Sequence, residues 1–229
     1  MRSYGQFCAV ARSLDVIGDR WSLLIVRELL IRGACRYSDL QSGLPGIATN
    51  MLAGRLRELE ASGVITALKA EPPVATRLFE LTERGRQLER VLDAIAAWGG
   101  PLMASVGADA FHTHWLLLPV RLRLVDNEPE RPSEVILIRI DEDTIRIDVD
   151  SGAVTARLAV PSDPDADAEI SGGPELVLAV LLGRITLQAA RERGLIFRGS
   201  ERTLARVQPR PPTATLTGSR PDASLPPRG

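Results

Sequence analysis

Between Thr49 and Arg57 the chain places Thr49, Asn50, Gly54, Arg55 and Arg57 within a nine-residue stretch. Asparagine can bond adenine in bidentate fashion and arginine can do the same to guanine, so this grouping has the chemistry to read base edges. Gly54 would let the backbone come close to whatever that face meets. Arg36 and Ser38 upstream and Arg77 downstream suit phosphate contacts, which fix register but carry no sequence information. Lys69 is the only lysine in the chain. Arginine favours phosphate and guanine contacts, and a GC-rich genome produces the same bias.

Other reactive residues are sparse. The two cysteines, Cys8 and Cys35, lack metal-ligand spacing and form no disulfide framework. A thiol becomes reactive when it is exposed and beside positive charge or a helix start, and Cys8 lies near a helix start with Arg2 and Arg12 close in sequence. Cys8 is therefore a candidate redox residue, with a small apolar contact as the alternative. Cys35, in RGACRY, reads as a loop residue. His112 and His114 would share one face of a strand, but no third ligand accompanies them. Phosphate-cradling glycine loops, nucleophile elbows and motif-grade carboxylate pairs are missing. The expectation is a protein that is not an enzyme, with no catalytic residue, metal or cofactor.

The reading face must be held by elements that the apolar periodicity supplies. Phe7, Val10, Leu14 and Ile17 stripe a helix over Phe7–Gly18, and Asp19 is placed to cap a second over Arg20–Ile31. A short helix follows at Tyr37–Ser42, then a turn at Gly43–Gly46. A longer helix over Ala48–Ser62 buries Leu52, Leu56 and Leu59. Alternating runs Val64–Lys69 and Arg77–Leu81 form a hairpin. Thr82 caps a helix through Trp98 striped by Leu88, Val91, Leu92, Ile95 and Trp98, at near-heptad spacing that asks for a partner. This order is that of a winged helix-turn-helix, whose second helix enters the major groove.

A composition of 45% hydrophobic and 25% charged residues suits an ordinary globular protein. The net charge of −1 neither supports nor excludes nucleic acid. No apolar run is long enough for a membrane span and no leader is evident, so a cytoplasmic protein is expected. Residues 1–105 form the first domain. The second, 106–207, reads as α+β: a helix near His114–Leu124, strands at Glu134–Asp141, Thr144–Asp150, Ala153–Val160 and Ala168–Ser171, helices at Pro174–Leu182 and Thr186–Arg193, a strand at Leu195–Arg198, and a helix at Glu201–Val207. Residues 208–229, with six prolines, read as a disordered tail.

The run from Cys8 to Ile65, with D-V-I-G-x-R-W-S, L-P-G-I and R-L-R-E-L-E, followed by L-T-x-x-G, resembles HxlR-type winged-helix regulators over about Phe7–Gly99. The resemblance implies a homodimer, built from the first and last helices, that binds palindromic double-stranded DNA; a repressor role is the expectation. Ala48 stands where such proteins often carry a capping Ser or Thr, and Thr49 is placed to take over the cap. Cys8 matches a position where some members carry a redox-sensing cysteine. The second half resembles the sterol-carrier-protein-2-like fold over about Trp115–Val207, through D-A-D-A-E-I-S-G-G-P-E-L-V-L-A-V-L-L-G-R-I-T and A-A-R-E-R-G-L-I-F-R-G-S. That resemblance implies a pocket for an apolar small-molecule effector, with Trp115, Leu118, Leu178, Leu181 and Leu182 as candidate lining; the same residues could simply fill a core. A structural or protein-interaction second half, or a lipid carrier, are the other readings.

Overall fold

A computed structural model describes residues 3–69, 77–103 and 110–209. Helix α1 (Ala9–Ile17) buries only Ala11, and Asp15 on its solvent side accepts from the Ser3 hydroxyl (2.7 Å) and the Tyr4 N–H (2.8 Å), which ties residues 3–8 back onto it. Helix α2 (Ser22–Arg32) starts later than its apolar pattern predicts. Asp19 receives the N–H of Trp21 at 3.1 Å in a turn that precedes the helix, so it shapes the entry and does not cap it.

Strand β1 (Cys35–Arg36) leads into α3 (Tyr37–Ser42), whose first turn is closed by the Arg36 N–H donating to the Asp39 carboxylate at 2.9 Å. Helix α4 (Thr49–Ala61) buries Leu52, Leu56 and Leu59 as their spacing requires. Strands β2 (Ile65–Lys69) and β3 (Arg77–Leu81) pair antiparallel from Ile65–Leu81 to Lys69–Arg77, and β1 joins the other side of β3. Cys35 is thereby a buried sheet residue opposite Phe79, not a loop residue.

Beyond the sheet, the expected single helix from Thr82 is two: α5 (Glu83–Arg86), with Thr82 accepting from the Gly85 N–H, and α6 (Leu88–Gly99), with Gln87 between them.

The second half opens with a 3-10 turn (Thr113–Leu116) running into α7 (Leu117–Arg123) and β4 (Leu124–Asp126). Its sheet contains β5 (Glu134–Ile140), β6 (Asp143–Asp150), β7 (Ala153–Leu158), β8 (Ala168–Ser171) and β9 (Ile196–Gly199), ordered β7-β6-β5-β8-β9. Only the β5–β8 pair is parallel. Helices α8 (Pro174–Leu181) and α9 (Leu187–Glu192) cross between β8 and β9, and α10 (Glu201–Arg206) precedes β10 (Val207–Pro209), which pairs with β4. Gln208 and Pro209, expected in the tail, are thus part of a strand; residues 210–229 lie outside the described residues.

Ile136, Ile138, Ile145 and Ile147 are fully buried in the two central strands. Arg206 is buried with them because Asp126 takes its Nε and Nη2 at 2.7 and 2.8 Å and Glu134 takes Nη1 at 2.9 Å. The Arg206 hydrogen bonds hold the Asp126 carboxyl well below the usual range. A charge removed from water in this way persists only when paired and fully hydrogen-bonded.

Candidate nucleic-acid interface

Helices α3 and α4 are joined by Gly43-Leu44-Pro45-Gly46, with Leu44 and Ile47 buried beneath the turn. Leu52, Leu56 and Leu59 fix the rotation of α4 and so decide which residues lie on its outward face. Thr49, Asn50 and Arg57 are exposed and Gly54 is half-exposed, as the spacing anticipates. Met51, 42% exposed, shares this surface and was not singled out from sequence; a thymine methyl is the base feature its side chain could meet.

Ala48 occupies the N-cap without a side-chain bond, so Thr49 is the first helical residue and does not take over the cap. The Thr49 carbonyl instead accepts from the Tyr37 hydroxyl at 2.7 Å, which pins the start of α4 against α3. Asn50 Oδ1 accepts from the Met51 N–H at 2.9 Å, leaving its amide NH2 available.

Four arginines expected at the same surface differ in freedom. Among the described residues, no carboxylate lies within ion-pair distance of Arg36 or Arg57, and Ser38 is exposed beside Arg36. Arg55 is 14% exposed and paired to Glu58 and to Asp19, the latter at 3.6 Å, so it braces α4 against the entry to α2 instead of facing outward. Arg77 donates to both carboxylate oxygens of Glu60 at 2.8 and 3.0 Å, and a phosphate would have to compete with that pair. The hairpin tip, residues 70–76, lies outside the described residues.

One group at the base of this unit escaped the sequence reading. Glu28 of α2 is a carboxylate with no exposed side-chain surface. Its Oε1 accepts from Arg27 Nη2 (2.9 Å) and from Trp115 Nε1 (2.8 Å), and its Oε2 accepts from Arg32 Nε (3.1 Å) and lies 2.8 Å from His114 Nε2. The Arg27 guanidinium also stacks over the Trp115 ring at 4.1 Å. Burial opposes the charge on Glu28, but the His114 hydrogen bond and the neighbouring arginines outweigh it and hold the carboxyl below its ordinary value.

Gly43 abuts the same carboxylate: a Cβ there would sit 2.2 Å from Glu28 Oε2. The turn of the helix-turn-helix therefore rests on a group whose other partners, His114 and Trp115, come from the second half. Arg121 adds to the joint by donating to the Leu30 and Ile31 carbonyls at the end of α2 (3.3 and 3.4 Å) and to Ala156 of β7. His112 precedes the 3-10 turn that carries His114, so the two do not share a strand face; among the described residues no cluster of three possible metal ligands occurs.

The candidate lining of the second half separates. Trp115 and Leu178 border a cleft of about 440 Å³ together with Phe111, Leu176 and Leu102. Leu118 is core, Leu181 is buried and borders a different groove beside Leu204 and Val207, and Leu182 borders neither. A helix presents only one face to a given cleft, which is why a run of leucines cannot all line it.

Cys8 is exposed at the N-cap of α1, and Cys35 is buried with its thiol pushed up to about 12 by desolvation. No helix among the described residues is long and apolar enough to cross a membrane.

Residues 16–105 match the HxlR-like helix-turn-helix family. The HTH-type transcriptional regulator YtcD of Bacillus subtilis (strain 168) is 39% identical over 103 residues, covering 45% of this chain and 81% of that protein. An HTH-type transcriptional regulator of Methanothermobacter thermautotrophicus is 37% identical over 93 residues, covering 40% and 70%. Among solved structures, the reduced form of the transcriptional regulator YodB from B. subtilis is 31% identical with a TM-score of 0.38, covering 43% of this chain and 97% of that one. The family match and the identity to these curated regulators show that the chain belongs to the HxlR-like helix-turn-helix family of transcriptional regulators.

Proposed function

We propose that the protein is a homodimeric DNA-binding regulator, acting as a repressor, in which α4 reads the major groove and the second half senses an apolar small molecule. The observation that carries DNA reading is the face of α4. Asn50 and Arg57 stand exposed on a helix whose opposite side is locked into the core by three leucines, with Arg36 free beside them. Groove entry by the second helix of such a unit places N-terminal residues against base edges. Replacing Asn50 or Arg57 with alanine should weaken binding to the selected operator by about 1–3 kcal/mol and broaden the preferred sequence. Arg36→Ala should weaken operator and random duplex alike and reduce the slope of log affinity against log salt by about one unit. Selection from a random-sequence duplex pool, followed by salt-dependent titration, measures both. Uniform loss without relaxed preference in Asn50→Ala would show that a different face of α4 reads the bases.

Dimerisation rests on apolar residues left in solvent. Phe7 just before α1, Val10 and Leu14 on α1, and Val91, Ile95 and Trp98 on α6, are all exposed, and two-fold related half-sites need two reading helices. Leu92, grouped with that stripe by spacing, is buried inside the protomer and belongs to its core. Cys8, open to solvent beside the α1 stripe, is the thiol that an oxidant would reach first.

Sensing rests on the cleft beside Trp115 and on the contact of that residue with Glu28. The domain division near residue 105 and the sterol-carrier-like character of the second half belong to the same reading, supported by a mixed sheet whose strands β8 and β9 are connected through helices α8 and α9. A ligand shifts DNA affinity only by its differential affinity for the two states of the dimer. Operator affinity of the full chain, with and without extracted apolar metabolites, is the measurement; no response to any extract would leave the second half a structural module.

A further inference from the structure

The cleft between the end of α6 and helix α8 carries two features that an apolar effector alone does not use. Its walls are Phe111, Trp115, Leu176 and Leu178, and its rim carries Arg184 and Arg193. Both arginines are placed by helix ends. Helix α8 stops at Leu181, Gly183 turns into the left-handed region at φ +65°, and the Arg184 N–H returns to the Ala179 carbonyl at 2.8 Å, which turns Arg184 back toward the cleft. The guanidinium of Arg184 then reaches Gly100, where a Cβ would lie 3.1 Å from Nη2. Arg193 is the C-cap of α9.

Among the described residues neither guanidinium has a carboxylate within ion-pair distance, although most arginines of the second half are so paired. Glu175, the only carboxylate among the described lining residues, already has a partner of its own. The apolar walls are aromatic where they meet: the Phe111 and Trp115 rings stand edge to face, 6.4 Å apart at 83°. Such a corner accepts a further ring in edge-to-face or offset contact. A guanidinium takes a carboxylate in a planar two-bond fork. A cleft of about 440 Å³ lies in the range that small-molecule sites occupy.

We propose that this cleft binds an aromatic carboxylate, its ring against Phe111 and Trp115 and its carboxylate on Arg184 and Arg193. The proposal deepens the sensing reading above by naming the class of effector, and it rests on that reading only for its consequence on DNA. The ring that would form the ligand's wall is the same ring that donates to Glu28 beneath the helix-turn-helix.

The test is calorimetric titration of the full-length protein with 2-naphthoate, with 2-naphthalenemethanol as the uncharged analogue and decanoate as the anion without a ring. Saturable binding of naphthoate is expected, with Arg184→Gln and Arg193→Gln each weakening it about tenfold, the scale of losing one charge-assisted hydrogen-bond pair. Both arginines are exposed, so the variants should keep the wild-type melting temperature. The methanol analogue and decanoate should each bind at least about tenfold more weakly than naphthoate. Absence of saturable naphthoate binding, arginine variants that bind as the wild type does, or an analogue that binds as tightly as naphthoate would each overturn the proposal. Naphthoate that binds through the arginines but leaves operator affinity unchanged supports the site and removes the sensing reading. An operator response to apolar extracts with no naphthoate site does the reverse.

Discussion

Replacing Ile95 and Trp98 together with glutamate should turn the protein into a monomer and weaken operator binding by on the order of 100-fold or more. The two side chains are 45% and 77% exposed, so the protomer loses little packing when they are changed. A dimer interface, in contrast, would have to bury four new carboxylates without partners, which costs more than such an interface can return. Two reading helices joined in one body bind with an effective concentration that raises affinity by about 10² to 10⁴, and all of that is lost when the copies separate. Sedimentation velocity gives the association state and an operator titration gives the affinity; the melting temperature should move little. Glutamate variants that remain dimeric, or monomers that hold the operator as the wild type does, would refute this placement of the interface. Leu92→Glu is the wrong instrument here, because it would place a charge in the protomer's own core.

The second large effect is expected at Glu28. Glu28→Ala leaves Arg27, Arg32, His114 and the Trp115 indole without their common acceptor, and removal of one partner from a buried ionic cluster costs about 3–5 kcal/mol. Urea unfolding should show that loss, and operator affinity should fall as well because Gly43 and the turn between α3 and α4 rest on the carboxylate. Glu28→Gln keeps the shape and one acceptor and should lose less. The pH dependence has a definite sign. The Glu28 carboxyl titrates below its ordinary value of 4.5 in the folded protein, so the stabilisation is fully present above 4.5 and is lost as pH falls through the folded value. The difference in stability between wild type and Glu28→Gln should therefore shrink on acidification below about pH 4.5. A gap that stays constant down to pH 3 would mean that the charge of Glu28 contributes nothing.

These two sites also mark where the sequence was readable and where it was not. The element order was legible because period and punctuation agreed: Leu52, Leu56 and Leu59 repeat at helical spacing, Gly63 follows α4, and the strand runs alternate. The outward face of α4 followed from the same period. What periodicity cannot give is the partner of a side chain far along the chain. Glu28 looks like one more solvated glutamate beside Arg27 and Arg32, and only folding brings His114 and Trp115 to it, 86 and 87 positions away. Leu92 and Ile95 share a stripe by spacing, yet the protomer covers one and leaves the other in solvent. Arg55, expected on the flank of the base-reading face, and Arg77, expected at a phosphate, are instead claimed by Glu58, Asp19 and Glu60. Likewise a chain cut at residue 105 looked self-sufficient by its pattern, whereas the fold would leave Glu28 without two of its four donors.

The two thiols, divided between an open helix start and the wing sheet, make the protein its own stopwatch. A maleimide in excess should modify Cys8 at once and Cys35 only when β1 parts from β3, because the buried sulfur holds its proton until then. The slow phase of labelling therefore times the opening of the sheet that carries the wing, from the unmodified sequence and without any probe introduced. Run with and without bound operator, the same reaction reports how much DNA quiets that sheet, and it does so one residue away from Arg36.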